Sequence, residues 1–227
     1  MKQIISAFNF FTLIRIGRHT EPKEASYAAS AVGLFIGAGL LVIYSFTGGV
    51  APFLMVVWLA VITGFLHLDG LADTFDALLS HRSKEKMLEI MKDSRIGAIG
   101  AAALILCFLG KYNAFTHIKE PWLLLVVPAF ARFSAVLGGA LLPYAGKAGL
   151  GKMFSNSLTP LLFIQVVPLV LILLLVSSLN FVALFFFVWF CLIFLLLFWH
   201  RQTIGGITGD GLGAMIEISE LGLFLLI

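Results

Sequence analysis

Residues 181–199 read FVALFFFVWFCLIFLLLFW, nineteen consecutive apolar residues with no charge and no turn former among them. A run of this kind matches the roughly 20 residues, at 1.5 Å each, that a helix needs to cross about 30 Å of hydrocarbon. Similar runs recur at Ala28–Phe46, Pro52–Leu66, Gly97–Phe115, Trp122–Leu142 and Leu161–Ser178, with a shorter one at Gly211–Ile227. They are continuous rather than alternating, so they read as helices and not as barrel strands. The expected architecture is all-α: a single integral membrane domain over residues 1–227, a polytopic bundle of about seven transmembrane helices.

The composition agrees. Of 227 residues, 60% are hydrophobic and 12% charged, with a mean hydropathy of +1.05, against about a quarter charged in soluble domains. Residues 1–27 read as an interfacial segment. Within it Ile4–Ile16, with Phe8, Phe10, Phe11 and Leu13 around Asn9 and Thr12, has the pattern of an amphipathic helix lying on the membrane, and no cleavable leader is evident. Cys107 and Cys191 fall inside apolar runs and read as packing residues.

With the N-terminus in the cytosol and seven alternating spans, twelve of the fifteen Lys and Arg fall inside, Lys111 and Lys119 fall outside, and Arg132 lies within a span. The positive-inside rule favours that orientation. The basic residues are scattered through short loops beside the spans, which accounts for a net charge of +3 by topology and anionic lipid and makes a nucleic acid partner unnecessary. The bilayer is the expected surroundings, and a homo-oligomer stays open.

Polar chemistry collects on the inner side, in a stretch at residues 67–96 that reads as a cytosolic aspartate-rich helix and loop. Its core is His67-Leu-Asp-Gly-Leu-Ala-Asp-Thr-Phe-Asp76. Spacings of four and three put Asp69, Asp73 and Asp76 on one helical face. Two carboxylates ~5 Å apart at an effective dielectric of ~20 repel by roughly 3 kcal/mol, so a cation or shared protons must offset them. Gly70 and Ala72 are expected to keep the surface small for a bulky ligand. Oxygen-only donors suit Mg²⁺, with Mn²⁺ as the alternative, and one histidine beside three acids argues against structural zinc.

Lys92-Asp-Ser-Arg95-Ile-Gly97 opens the next span with cations and free backbone donors, a pattern suited to phosphate. Gly205–Ala214 holds five glycines around Asp210, which could complete the metal site, and Glu217 shares its helical face. Arg132, deep in a span, needs a phosphate or an acid as partner. Gly149-Leu-Gly151-Lys152 adds a flexible basic loop.

Together with Phe8…Phe11-Thr12…Arg15, Arg132 and Pro143-Tyr144…Gly149-Leu-Gly151, these motifs resemble those of the cobalamin synthase family, the adenosylcobinamide-GDP ribazoletransferases. The resemblance runs through most of the chain. Ala77, Ala98-Ile99 and Lys147 depart from the family's usual residues, and none is a proposed ligand. It implies a Mg²⁺-dependent, multi-pass enzyme of the cell inner membrane with its active site facing the cytosol. Such an enzyme joins adenosylcobinamide-GDP to α-ribazole, or its 5′-phosphate, and releases GMP. On that reading Asp69, Asp73, Asp76 and Asp210 hold the metal, Lys92, Arg95 and Arg132 bind phosphate, and His67 or Asp76 accepts the hydroxyl proton. The rivals are a CDP-alcohol phosphotransferase, whose longer-spaced aspartate motif is missing here, a prenyltransferase, and an ion-coupled transporter, whose acids would lie at mid-membrane.

Overall fold

The computed structural model describes residues 1–17, 21–146 and 160–226. The basic loop at Gly149–Lys152, together with Arg18 and Lys147, lies outside them. The described residues are helical almost throughout: α1 Lys2–Phe11, α2 Pro22–Ser26, α3 Ala29–Thr47, α4 Ala51–Ile62, α5 Leu66–Leu78, α6 Lys84–Ile90, α7 Ala98–Thr116, α8 Leu123–Leu141, α9 Pro160–Ile164, α10 Val167–Val176, α11 Leu179–Ile204 and α12 Gly209–Phe224.

Helices stand at all seven apolar runs, but among the described residues four stretches are long and apolar enough to cross a membrane: Ala29–Ile62, Ala98–Thr116, Leu123–Leu141 and Leu179–Ile204. The first is two helices folded back on each other at Gly48, whose φ of 57° is open to glycine. The Trp58 indole N–H donates to the Ile36 carbonyl across that hairpin at 2.9 Å. With 12 residues, α4 reaches only about 18 Å, and the apolar helix over Leu162–Val176 is also short.

The axis of the bundle is α8, buried from Leu123 to Ala140 except at Leu125. Small residues let α3 lie against it: a Cβ on Gly33 would stand 2.3 Å from Ala129 Cα, and one on Gly37 2.3 Å from the Leu125 carbonyl. On another side α8 carries α12 and, through the Trp189 indole bonded to Ser134 at 2.9 Å, α11. The opposite face of α11 exposes Phe187, Phe190, Phe194 and Phe198, as a lipid-facing surface does.

A break at Thr63–Phe65 separates α4 from α5. Gly64 and Phe65 both have positive φ, 62° and 61°. The Leu13 amide donates to the Ile62 carbonyl at 2.8 Å, so the chain leaving α1 satisfies an acceptor freed by the break. The amphipathic N-terminal segment is thus a helix docked onto the bundle at this break.

Candidate active site

Backbone proximity, permitted by glycines, assembles the site. A Cβ on Gly70 would lie 2.7 Å from the Asp210 carbonyl, and one on Gly213 3.2 Å from His67 Cα. Gly70 therefore serves helix contact, not the ligand clearance its position among the acids suggests. That contact brings Asp210, in the first turn of α12, beside Asp69 and Asp73 of α5. Thr208 caps α12, its hydroxyl accepting from the Gly211 amide at 3.0 Å. The Gly-rich run before it is tied down by the Ile207 amide to Pro143 O and the Ala145 amide to Ile207 O, each at 2.9 Å.

The acids open into a cleft of about 640 Å³ between α5, α7, the start of α12 and the 91–96 loop. Asp69, Asp73 and Asp210 line it together with Lys92, Asp93 and Ser94. Burial, then the charges of Asp69, Asp210 and Asp76, push the Asp73 carboxyl from 3.8 up to about 7. Asp210 is raised too, by burial and then by Asp69. The repulsion expected from the sequence is therefore present, focused on Asp73.

Asp76 has a different posture. Its two carboxylate oxygens accept from the amides of Gly97 at 2.7 Å and Gly100 at 2.9 Å, so it caps α7 from another helix. A Cβ at either glycine would come within 2.3 Å of that carboxylate. The free backbone donors expected at Gly97 as a phosphate seat are thus taken by Asp76. Arg95 is exposed and holds Asp93 through paired hydrogen bonds, the shortest 2.6 Å. Those bonds draw the Asp93 carboxyl down to about 2.

Arg132 and His67 do not line the cleft. Arg132 is buried in α8 and pairs with Glu220 of α12. Lys111 of α7, counted on the outer side by the charge pattern, is buried and binds Glu217 at 2.7 Å and Glu220 at 2.6 Å. Glu217, which shares Asp210's helical face by spacing, points into this network and not into the cleft. Four charges thus tie α7, α8 and α12 together. Among the described residues His67 Nδ1 and Arg132 Nε have no hydrogen-bond partner, and burial, then the nearby Arg132 charge, lowers the His67 imidazole to about 3. The sequence carries only part of this signal: Glu217 and Glu220 are three apart in an apolar helix, but pairing them with Lys111 requires knowing how α7 meets α12.

Among the described residues no three His, Cys, Asp or Glu side chains converge tightly enough to chelate an ion alone. The cleft offers an open set of hard oxygens beside a lysine. That donor set fits magnesium, which keeps several waters and is held by one or two carboxylates together with substrate phosphates.

Comparison with known proteins bears on what such a cleft is for. Residues 3–227 match the family described as cobalamin-5-phosphate synthase. A relative from Fusobacterium nucleatum, named adenosylcobinamide-GDP ribazoletransferase, is 34% identical over 97% of this chain and 95% of its own. Relatives of the same name from Roseiflexus sp. and Desulfitobacterium hafniense are 40% identical over 88% of this chain and 77% of theirs, and 34% identical over 100% and 96%. No solved structure matches.

Proposed function

The chain belongs to the cobalamin-5-phosphate synthase family, and from that premise we propose that it joins adenosylcobinamide-GDP to α-ribazole, or to its 5′-phosphate, releasing GMP, in the cytoplasmic membrane with the cleft open to the cytosol. The carrying observation is one cleft lined by carboxylates from two helices and by a lysine. That is the equipment of phosphoryl transfer, where placement and charge neutralisation supply most of the acceleration.

The ribose hydroxyl attacks the phosphorus nearer the cobinamide, a P–O bond forms to ribazole, the P–O bond to GMP breaks, and GMP leaves with that oxygen. Lys92 binds diphosphate oxygens and offsets their charge. Asp69, Asp73 and Asp210 are the residues that would hold Mg²⁺, with Asp76 next to them. Bound there, the ion would neutralise charge on the diphosphate. The hydroxyl proton leaves, directly or through water, to a carboxylate of this cluster that the ion does not engage. Asp76 fixes the start of α7 relative to α5, and Arg132 is held in the buried network with Glu220.

The test is a mass-spectrometric assay of the purified protein in lipid with adenosylcobinamide-GDP, α-ribazole and Mg²⁺. GMP and a joined corrinoid, both lost with Asp73→Asn or with chelator, are expected. Folded protein that makes neither product overturns the proposal.

A further inference from the structure

The acids occupy only one end of the cleft. Its other end is apolar, and the helix register shows how the two are spaced. Asp76 bonds to Gly97 and Gly100, a Cβ on Gly100 would meet the Ala72 carbonyl at 2.8 Å, and Leu71 clusters with Ala103 and Cys107. Residue numbers fall along α5 as they rise along α7, so the helices are antiparallel. Continuing the pairing sets Leu68 level with Leu104, and Phe65 level with Phe108. All four line the cleft.

Phe65 is 54% exposed although it stands at a break with φ of 61°, a conformation that bulky residues seldom adopt. A large aromatic side chain is thus held open at the cleft. It sits four residues before Asp69 and eight before Asp73, about 6 Å and 12 Å along the helix. A nucleoside whose ribose hydroxyl meets the acids would carry its base over that interval into the apolar end.

We propose that Phe65 and Phe108, with Leu104 beside them, form the seat for the aromatic base of the ribazole and set which bases are accepted. The assignment rests on the ribazole-transfer reading above. An uncharged, flat, fused-ring base matches a site with aromatic and aliphatic walls, whereas the diphosphate of the other substrate belongs at Lys92. The two substrates therefore approach the acids from opposite ends of one cleft.

Steady-state kinetics on the purified protein in lipid, varying each substrate separately, test this. Phe108→Ala is expected to raise KM for α-ribazole about tenfold, by loss of stacking area, while KM for adenosylcobinamide-GDP stays within about twofold. Phe108→Leu, a milder change should the alanine variant fold poorly, is expected to show a smaller rise confined to the same substrate. Ribazoles with a single-ring base should lose less on either substitution than those with a fused ring. Unchanged ribazole KM in both folded variants, or equal rises for both substrates, overturns the base seat and leaves the transferase reading intact. A wild-type protein that turns over neither substrate overturns the reading itself.

Discussion

Asp73 concentrates the electrostatics of the cleft in one carboxyl. Burial, and then three neighbouring carboxylates, raise its pKa from 3.8 to about 7. Between those values the folded chain keeps a proton that the unfolded chain has released, so stability falls as pH rises through that window. Thermal melts of metal-free protein should therefore show Tm decreasing from about pH 5 to about pH 7.5, and saturating Mg²⁺ should remove that slope, because the ion replaces the proton as the offsetting charge. A Tm that rises over the same range would contradict the carboxylate cluster. Asp73→Asn should lower kcat/KM by about 100-fold or more, as loss of a group stabilising transition-state charge does, with the fold retained by circular dichroism. Lys92 and Arg95 separate two meanings of a basic motif. Lys92 lines the cleft unpaired with any described acid, whereas Arg95 is committed to Asp93. Lys92→Met should raise KM for the diphosphate substrate about tenfold, and Arg95→Met should raise it less.

Between elements, the informative contacts are those that glycine or a buried charge makes possible. Asp76 caps α7 across a helix boundary, and a Cβ on Gly100 would collide with both its carboxylate and the Ala72 carbonyl, at 2.3 and 2.8 Å. Gly100→Ala should therefore push α7 away from α5, lowering activity and thermal stability together. Asp76→Ala should cost about 1–2 kcal/mol of stability through the lost cap, measured by denaturant titration in detergent. Beneath them, Lys111 serves Glu217 and Glu220 at once while Arg132 holds Glu220. Removing one member of a buried network leaves its partners charged and unpaired, so Lys111→Met alone should destabilise by about 3–5 kcal/mol. Lys111→Met combined with Glu217→Gln, which removes one charge of each sign, should recover much of that loss; equal destabilisation by the single and double variants would deny the pairing.

At the scale of the whole molecule, the all-α membrane bundle was legible because nineteen-residue apolar runs admit few other structures, and the aspartates were legible because a helix converts spacing directly into a shared face. Neither signal says which helices touch. The Asp69–Asp73–Asp210 grouping depends on the missing side chains of Gly70 and Gly213, and the division of labour in which Asp76 turns to α7 and Arg132 to Glu220 depends on the packing of α5, α7, α8 and α12. Charge counting assigns Lys111 a side from sequence position alone and does not see its partners 106 and 109 residues away. Orientation, however, rests on those same charges. Residue 94 precedes α7 and residue 119 follows it, both are exposed, and α7 is among the helices long and apolar enough to cross. Ser94→Cys and Lys119→Cys, each in a background with Cys107 and Cys191 replaced, should thus react with a membrane-impermeant maleimide from opposite sides. Ser94→Cys is expected to label only in inverted vesicles, where the cytosolic face is outward, and Lys119→Cys only in intact cells stripped of their wall. The reverse pattern would turn the carboxylate cleft away from a cytosolic nucleotide substrate, and labelling of both from one side would mean that α7 does not cross at all.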